Sequence, residues 1–492
     1  MDNFILCGMQ FGDEGKGTFV DYLAHEKDID CIVRYNGGSQ ASHTVVTPSR
    51  KLHKFSQLGS GMFLPECETY ITENMVINLE NLFREVLAFS NESGISIPNI
   101  MSRIHIHENC FMVTPYHKLI NKLREFSKGK GRRGTVGTGV SEVRYLLNLP
   151  KMLPYEPPLG LKFKDIFDFY HMRGILQSLQ EHVTEFYQKN KEVIWKNVPD
   201  DMKSDLQSEI GFLLERQSFL TIASNFRDTS RNELLKKCLY SAYELSFRKS
   251  CKSAIFEGSQ GLLIDGTYGI KPNTTFLDTT NHFALDISYY KDKVSKIGIA
   301  KAFTSRHGLG VFPTESVEVS DKICDENQEA TFWNGKIRFG WFDAVLFRYA
   351  QKINQVDEVY LSSLDKLDDF SCIKICSSYL YQGKIDKIFT QLFDYYISLS
   401  GRVIVTDIKY NGEELSKYLE KCTPQYRSFE GWKTDLSHAS KQEDLPDKCI
   451  AYIEHLEKMI GVPITLVSVG PTRENKIKLH KRMWSNGTLE GN

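Results

Sequence analysis

The segment Cys7–Leu23, CGMQFGDEGKGTFVDYL, combines glycines with a lysine and, within the glycine-rich turn, an aspartate and a glutamate, a composition suited to binding phosphate groups. Its glycines let the backbone approach a phosphate closely: Gly12, Gly15 and Gly17. Lys16 can place a positive charge beside a β- or γ-phosphate, and Asp13 can bind Mg²⁺ or accept a proton. The segment departs from the P-loop pattern G-x-x-x-x-G-K-[ST], since glycine follows the lysine and glutamine takes the place of the first glycine. The residue types predict a phosphate-binding turn with acid–base or metal chemistry; the alternative is a polar turn without a ligand.

The secondary-structure elements on either side of this turn must hold it in place. NFILCG at 3–8 is a continuous apolar run typical of a buried strand, and TFVDYLAH at 18–25 has a helical pattern. A strand, a glycine turn and a helix leave free N–H groups at the helix start, where an anion binds. Further short apolar runs predict strands separated by helical patterns: DCIVRYNGG at 30–38, SAIFEG at 253–258, KIGIAKAF at 296–303, EVYLSS at 358–363, CIKIC at 372–376, RVIVT at 402–406 and ITLVSVG at 464–470. This alternation predicts an α/β fold with a mostly parallel central sheet.

Residues 151–250 have a different pattern, which is polar, helical and poor in glycine. We interpret them as a helical insertion or subdomain within one domain that spans residues 1–492. NLENLFREVLAF at 78–89 places its apolar side chains on one helical face and predicts a helix. His105 and His107 in RIHIHEN alternate like strand residues and are interpreted as structural.

The amino-acid composition limits the kinds of partner that the chain can bind. The 61 basic and 62 acidic residues give a net charge of −1, so no broad positive field would attract nucleic acid. No apolar run approaches the ~18 residues that read as a membrane-spanning helix, and the N-terminus lacks the basic region of a signal peptide. The eleven cysteines include no C-x-x-C pair. They indicate reduced thiols in a cytoplasmic protein and do not favour a zinc site.

Several blocks of the sequence, in order, resemble the adenylosuccinate synthetase family. The family motif G-x-Q-[WF]-G-D-E-G-K-G resembles the first turn, and V-R-[YF]-x-G-G-x-N-A-G-H-T resembles VRYNGGSQASHTVV at 33–46. Later blocks also resemble family segments: VTPYHKLIN, RRGTVGTGVS, FEGSQGLLID, GIAKAFTSRHGLGVFPTE, IRFGWFDAV and GVPITLVSVGPTRENKI. The resemblance covers nearly the whole chain except about 151–250. It implies a single large P-loop-NTPase-like domain with a twisted, mostly parallel central sheet and helical additions.

The resemblance implies a ligase that joins IMP to L-aspartate, with GTP as co-substrate and Mg²⁺ as cofactor. In that chemistry the γ-phosphate of GTP is transferred to the purine O6, and the aspartate amine then displaces phosphate at C6. By resemblance, Asp13 accepts the purine N1 proton and binds Mg²⁺, His43 acts as a general acid, and Lys16 neutralises transferred charge. Ser42 would offer a backbone oxygen to Mg²⁺. Family members are homodimers, so a homodimer is expected here.

The binding residues implied by the resemblance form two sets. The nucleotide-binding set is Gly12, Asp13, Glu14, Gly15, Lys16, Gly17, Thr18, Ser42, His43, Thr44, Arg338, Ser363, Asp365, Ser468 and Gly470. The substrate-binding set is Gln40, Thr135, Gln260, Thr275, Lys336 and Arg338.

Some departures from the family pattern affect the substrate nucleotide. Gln40 replaces an Asn that touches the nucleotide, and Ser42 replaces a Gly. Val136 replaces a Thr whose hydroxyl binds the phosphate, which leaves Thr135 or Thr138 to compensate. The family also supplies an Arg from the second subunit. Arg144 is the nearest candidate, but its alignment leaves that role open.

Other departures affect the amino acid and the phosphoryl donor. The family's arginine-rich loop, which grips the two aspartate carboxylates, is here ATFWNGKIRFGW, with Lys336 and Arg338 as the surviving cations. Phe332 and Trp333 replace hydroxyl residues. In the guanine-binding T-K-L-D, Ser363 replaces the lysine while the acceptor Asp365 remains.

These departures keep alternatives open. The same ligase chemistry could act on a deoxynucleotide or guanine nucleotide, use ATP as donor, or take a different amine. A nucleotide-binding regulatory protein on the same fold, with 151–250 as a docking surface, is the alternative from another class. The presence of Asp13 favours an inosine-type substrate whose N1 proton must be removed.

Overall fold

Strands and helices alternate along most of the chain. The computed structural model describes residues 3–129, 137–148, 159–240, 251–288, 294–323, 333, 335–409 and 412–480. The strands are β1 (Asn3–Gly8), β2 (Cys31–Arg34), β3 (Gly37–Gly38), β4 (His43–Val46), β5 (Leu52–Phe55), β6 (Glu68–Ile71), β7 (Met75–Ile77), β8 (Ile104–His107), β9 (Phe111–Met112), β10 (Leu161–Lys162), β11 (Leu239–Tyr240), β12 (Ala254–Gly261), β13 (Val294–Lys301), β14 (Thr304–Arg306), β15 (Arg338–Gly340), β16 (Phe342–Asp343), β17 (Glu358–Ser362), β18 (Cys372–Tyr381), β19 (Phe393–Ile397), β20 (Val403–Ile408), β21 (Cys422–Glu430), β22 (Ile464–Ser468) and β23 (Lys476–Lys478). The α-helices are α1 (Lys16–Glu26), α2 (Leu79–Ser93), α3 (Ile97–Ser102), α4 (Pro115–Lys128), α5 (Val140–Leu147), α6 (Phe169–Asn197), α7 (Asp200–Leu213), α8 (Ser218–Ser230), α9 (Glu233–Lys237), α10 (His282–Ser288), α11 (Val317–Lys322), α12 (Ala344–Asn354), α13 (Lys387–Leu392), α14 (Leu415–Leu419) and α15 (Asp447–Ile460).

The central sheet is mostly parallel, which confirms the prediction from the sequence. Its strand order within the described residues is β11-β8-β6-β2-β12-β1-β13-β17-β22-β23, and every neighbouring pair except β22 and β23 is parallel. All six residues of β1 are buried. Phe4 and Leu6 lie in a core cluster with α1 residues, whereas Ile5 lies in another cluster with Ala284 of α10. Helices on both faces explain why these parallel strands are continuous apolar runs.

Two of the predicted strands lie outside the central sheet. CIKIC and RVIVT belong to β18 and β20, which pair antiparallel in a second sheet with β16, β19 and β21. Only a short turn joins β19 to β20, and such a connection permits antiparallel but not parallel pairing. The hydroxyl of Tyr379 in β18 donates to Asp343 Oδ2 (2.7 Å), which ties this sheet to the start of α12.

The helices between residues 169 and 237 pack against the body of the protein. Leu176 and Leu179 of α6 share a core cluster with Leu119 and Leu123 of α4. These helices therefore bury a face against α4, and the strand β11 that follows them joins the central sheet. No helix within the described residues has the length and apolar character required to cross a bilayer. The status of 151–250 as an insertion stays a prediction.

Arg124 of α4 links this helical region to α5. Its guanidinium lies over the rings of Tyr145 (4.3 Å) and Phe186 (4.9 Å) and donates to Glu142 (3.1 Å). Since α5 begins just after Gly139, the helical region supports the start of α5.

Gly261, at the end of β12, lets this strand approach the glycine turn after β1. A Cβ at this position would lie 2.3 Å from the Gln10 carbonyl oxygen and 2.5 Å from the Gly12 nitrogen. We expect Gly261→Ala to displace the turn and to lower the free energy of unfolding by about 1–3 kcal/mol, as other overpacking substitutions do. Thermal denaturation followed by circular dichroism would show this as a lower Tm.

The matched control is Gly174→Ala in α6, where an added Cβ meets no atom within 4 Å. This change should raise the free energy of unfolding by about 0.5–1 kcal/mol, because alanine loses less backbone entropy than glycine in a helix. An unchanged Tm in Gly261→Ala would contradict the close approach of β12 to the turn.

Candidate active site

The glycine turn after β1 is built around the carboxylate of Glu14. Its Oε1 accepts hydrogen bonds from the N–H groups of Gln10 (3.0 Å) and Gly12 (2.8 Å), and its Oε2 accepts one from Lys16 Nζ (2.7 Å). Glu14 and Lys16 are each 1% exposed, so this ion pair lies inside the turn. Gly12 (φ +109°) and Gly15 (φ +80°) adopt the left-handed conformation that favours glycine. The turn leads directly into α1, whose N–H groups and dipole favour a phosphate.

His43 begins β4 and lies against the start of α1, since a Cβ on Gly17 would be 2.7 Å from the His43 Cβ. Its Nδ1 lies 2.5 Å from Glu257 Oε1, and Ser60 donates to the same carboxylate from its backbone N–H (3.0 Å) and its hydroxyl (2.5 Å). Burial lowers the pKa of His43, although Glu257 acts in the opposite direction. Burial also favours a higher pKa for Glu257, but Arg34, His43 and Ser60 together lower it to about 2. The ionised carboxylate therefore fixes the histidine ring.

Asp13 lies at the surface of the turn, with 31% of its side chain exposed. Its Oδ2 accepts hydrogen bonds from Lys301 Nζ (2.6 Å) and Ser305 Oγ (3.3 Å). Burial favours a higher pKa for Asp13, but Lys301, with smaller contributions from His307 and Lys16, lowers the pKa below its ordinary value. Asp13 is therefore an ionised carboxylate beside the phosphate turn.

Two glutamine side chains carry buried amide atoms without a protein partner. Within the described residues, Nε2 and Oε1 of Gln40 and Oε1 of Gln260 make no hydrogen bond. Gln260 is next to Ser259, whose carbonyl oxygen lies 3.2 Å from His43 Nε2. Buried polar atoms need polar partners, and the functional groups of a bound nucleotide would supply them.

A second group of predicted residues meets where β17 and β22 end, beside the same turn. Ser362 Oγ donates to the Glu14 carbonyl oxygen (2.7 Å), and Thr18 Oγ1 donates to the Pro471 carbonyl oxygen (3.0 Å). Ser363 is left-handed (φ 59°) and directs the chain into a short 3-10 helix that carries Asp365. We call the region lined by the following residues the β17–β22 crevice: Thr18, Ser363, Asp365, Ser468 and Gly470.

Two features of the β17–β22 crevice concern polar groups. Ser468 Oγ donates to the Gly470 carbonyl oxygen (2.9 Å). Burial raises the pKa of Asp365, and no side chain among the described residues forms an ion pair with its carboxylate. Asp365 is therefore an acceptor that remains open to a base.

The predicted cations of the amino-acid loop differ in their environment. Arg338 donates to Glu315 Oε2 (2.8 Å) and to the Gly310 carbonyl oxygen (2.8 Å), while Lys336 is exposed. Trp333 packs against Phe126 of α4, with ring centroids 5.4 Å apart. Of the predicted cations, Lys336 alone therefore extends into solvent.

The remaining predicted residues are less closely tied to the turn. Thr275 Oγ1 accepts a hydrogen bond from the Leu277 N–H (3.3 Å) within its own loop. Ser42 and Thr44, on either side of His43, are exposed. Arg144 donates to the Glu73 carbonyl oxygen (3.2 Å) of its own chain. Three residues discussed from the sequence lie outside the described residues: Thr135, Val136 and Phe332.

Three charged residues in the site were missed from the sequence. Glu257 and Lys301 contact His43 and Asp13 directly, and the buried Arg34 donates to Ser259 Oγ (2.9 Å). Each is a charged residue within or at the end of an apolar strand, where burial is costly without a partner. That signal was present in SAIFEG, KIGIAKAF and DCIVRYNGG.

A family-wide sequence model provides the decisive comparison. The model described as adenylosuccinate synthetase matches residues 5–477. The chain belongs to the adenylosuccinate synthetase family. Adenylosuccinate synthetases are ligases that form a carbon–nitrogen bond in purine biosynthesis, and this chain has their fold, with a large, mostly parallel central sheet in a single domain.

Individual relatives cover almost the full chain. The adenylosuccinate synthetase of Trichodesmium erythraeum is 32% identical over 97% of this chain and 96% of its own length. The fully ligated enzyme of Plasmodium falciparum has a TM-score of 0.74 at 22% identity and covers 98% of this chain and 100% of its own. The cyanophage S-2L succinoaminodeoxyadenylate synthetase has a TM-score of 0.54 at 13% identity and covers 97% and 95%. These two solved structures share the fold.

Adenylosuccinate synthetases depend on Mg²⁺, and the oxygen groups around the phosphate turn fit that ion. Mg²⁺ is usually bound by one or two carboxylates together with substrate phosphates. The exposed carboxylate of Asp13 and the backbone oxygen of Ser42 are hard oxygen donors of this kind. Within the described residues, no group of three His, Cys, Asp or Glu side chains could hold a metal without such phosphates.

The buried Glu257 carboxylate makes a prediction about acid stability. Its pKa of about 2, against an ordinary value of 4.5, means that the folded state favours the ionised form. This contributes about 3 kcal/mol above pH 4.5, and the contribution is lost as the pH falls through about 2. We expect Glu257→Gln to lower the free energy of unfolding in urea at pH 7, and the difference from wild type to shrink as the pH falls from 4.5 to 3.

The control is Glu215→Gln, which changes an exposed carboxylate between α7 and α8. It should leave the stability within about 0.5 kcal/mol of wild type at every pH. If the free energies of unfolding of Glu257→Gln and of wild type differed by the same amount at every pH, Glu257 would not be an ionised, stabilised carboxylate.

Proposed function

We propose that this chain joins IMP to L-aspartate, with GTP as phosphoryl donor and Mg²⁺ as cofactor, and releases GDP and phosphate. The observation that carries the proposal is the position of Asp13, an ionised and partly exposed carboxylate on the phosphate turn. The neighbouring Gly12 packs closely on Gln260, since a Cβ on Gly12 would lie 3.7 Å from the Gln260 Cα. A purine held by Gln260 would thus lie near both Asp13 and the phosphates.

In the proposed first step, the Asp13 carboxylate accepts the N1 proton of the purine, which places negative charge on O6. O6 then attacks the γ-phosphorus of GTP, so that the O6–P bond forms while the bond to the β-phosphate oxygen breaks and GDP leaves. The N–H groups at the start of α1, together with Lys16, offset the charge of the phosphates. Asp13 and the backbone oxygen of Ser42 would hold Mg²⁺, which would supply positive charge to offset that of the phosphates.

In the proposed second step, the amine of L-aspartate attacks C6. The C6–N bond forms, the C6–O6 bond breaks, and phosphate leaves with the electron pair and takes up the proton that the amine loses. His43 donates a hydrogen bond to the phosphoryl group during the transfer and departure. Its ring is already oriented by Glu257, which avoids the cost of ordering it during the reaction.

GTP is the proposed donor because Asp365 provides a carboxylate at the β17–β22 crevice. Guanine carries two adjacent donors, its N1–H and its 2-amino group, which suit a single carboxylate acceptor. The crevice adjoins the phosphate turn through the hydrogen bonds of Ser362 and Thr18. A base in the crevice would thus extend its phosphates toward α1.

A second candidate is the same chemistry with shifted specificity. Ser363 stands where the family pattern has a lysine, and the amino-acid loop contains Trp333 and Lys336 in place of hydroxyl and arginine residues. A structure with the same fold, that of the cyanophage enzyme, is described as bound to dGMP with dATP as energy donor. A deoxynucleotide, ATP or another amine is therefore the specific alternative.

We also propose a homodimer, because the family pattern requires an arginine from a second subunit, and Arg144 is engaged with Glu73 of its own chain. Sedimentation velocity measures the mass directly. A monomer that retained full activity would contradict this proposal.

Product mass tests the proposed function. Purified protein is incubated with Mg²⁺, GTP or ATP, each of IMP, dIMP, GMP and dGMP, and a mixture of amino acids. We expect a conjugate of IMP and aspartate that requires GTP. Asp13→Ala should lower kcat by at least about 100-fold, because the proton acceptor is lost.

The matched control is Asp205→Ala, which removes an exposed carboxylate from α7 and should leave kcat unchanged. A conjugate with another purine or amine would support the second candidate. If folded protein that binds nucleotide gave neither conjugate nor phosphate, the ligase proposal would be wrong, and a regulatory role would be favoured.

A further inference from the structure

Lys476 is a buried cation behind the β17–β22 crevice. It begins β23, is 6% exposed, and lies directly opposite Ser468 in the antiparallel pairing of β22 and β23. Its ammonium group donates to the carbonyl oxygens of Thr472 (2.7 Å) and Gly470 (3.2 Å). The mechanism proposed above gives this lysine no role.

One carbonyl group connects the lysine to the crevice. The Gly470 oxygen accepts hydrogen bonds from both Lys476 Nζ (3.2 Å) and Ser468 Oγ (2.9 Å). The ammonium and the hydroxyl are therefore separated by a single acceptor atom. An ammonium group has three N–H donors, and two of them have an acceptor among the described residues. The third has no hydrogen-bond acceptor among the described residues, and the ammonium lies 5.6 Å from the centroid of the Phe19 ring.

The charges around Lys476 come from three elements. Burial lowers its pKa to about 7, while Asp21 of α1 and Asp365 act in the opposite direction. Asp21 is paired with Arg473 (3.3 Å) and lies near His25 (3.4 Å). Asp365 also interacts electrostatically with the exposed Lys366 and with Asp435. Asp21 is already paired with Arg473, and Asp365 is the second carboxylate whose charge acts on Lys476.

We propose that Lys476 selects the base of the phosphoryl donor, favouring a purine with an oxygen at C6 over adenine. The positive charge of the protonated lysine beside Ser468 and Gly470 attracts the electron-rich O6 of guanine or hypoxanthine and repels the amino group of adenine. Lys476 would thus supply, from β23, a cation on the Ser468 and Gly470 side of the crevice. The inference rests on the proposed function, because it assumes that the donor base occupies this crevice.

The roles of Lys476 and Asp365 are separable with three diphosphates. GDP and IDP both carry O6, but only GDP carries the 2-amino group that Asp365 would accept. ADP carries neither. Loss of the lysine should therefore weaken the binding of GDP and of IDP equally. Loss of the Asp365 charge should instead remove the preference for GDP over IDP.

Equilibrium binding of GDP, IDP and ADP with Mg²⁺, measured by isothermal titration calorimetry on the full chain, tests the inference without requiring turnover. We expect Lys476→Met to weaken the binding of GDP and of IDP by about 10- to 100-fold, the range for a hydrogen bond to a charged group. The binding of ADP should be unchanged or tighter. Lys476→Arg keeps the charge and should retain the preference for GDP over ADP. Asp365→Asn should weaken the binding of GDP more than the binding of IDP.

The matched control is Lys478→Met, on the same strand, where the lysine is 62% exposed and paired with Glu26. It should bind all three diphosphates as wild type does. If Lys476→Met fails to fold by circular dichroism, Lys476→Arg and Lys476→Gln provide the same comparison, with the preference kept in the first and lost in the second.

Each outcome decides a separate point. The inference would be overturned if Lys476→Met changed the affinities for GDP and ADP by the same factor, or if wild type bound ADP as tightly as GDP. Either outcome would leave the ligase proposal standing. If the protein shows the expected base preference in the binding experiment but forms no conjugate, the ligase proposal alone would be rejected. A wild type that binds none of the three would overturn the inference directly.

Discussion

The buried carboxylate of Glu14 sets the geometry on which the site depends. It accepts two backbone N–H groups of the glycine turn and the ammonium of Lys16, all without access to water. Removing one partner of such a buried ion pair typically costs about 3–5 kcal/mol, since the other charge is left without compensation. The backbone of Glu14 also accepts the Ser362 hydroxyl of β17. One residue thus shapes the phosphate turn and holds it against the strand that leads to the β17–β22 crevice.

Three carboxylates near the turn have different roles because their surroundings differ. Glu14 and Glu257 are fully buried and satisfied by neighbouring donors, so they orient Lys16 and His43. Asp13 is partly exposed and pairs with Lys301, which a substrate or ion could replace. The same functional group therefore serves as a structural support at two positions and is the proposed proton acceptor at the third.

The two ends of the site rest on different parts of the fold. The β17–β22 crevice lies at the carboxyl ends of parallel strands, the usual ligand position in α/β proteins, and its geometry follows from the central sheet. Trp333 of the amino-acid loop instead packs against Phe126 of α4 and lies beside Gly137, just before α5. Arg124 connects α4 and α5 to α6. Departures from the family pattern occur at both ends, at Ser363 and at Lys336, while the turn between them keeps Asp13 and Lys16. Specificity could therefore vary at either end without altering Asp13, the group proposed to start the chemistry.

The sequence by itself determined six strands of the central sheet (β1, β2, β12, β13, β17 and β22), the helix after the turn, the parallel character of the sheet and the family. These follow from local apolar periods and from ordered motifs, which do not depend on distant contacts. It also identified Asp13, Lys16, His43 and Gln260 as candidates, since each lies in a recognisable motif. Only the tertiary structure placed Glu257 against His43, Lys301 against Asp13 and Lys476 behind Ser468, pairs separated by 214, 288 and 8 residues. Even the last pair depends on the return of β23 along β22. A partner that satisfies a buried charge is chosen by sheet order and strand register, and neither can be read from the spacing of residues along the chain.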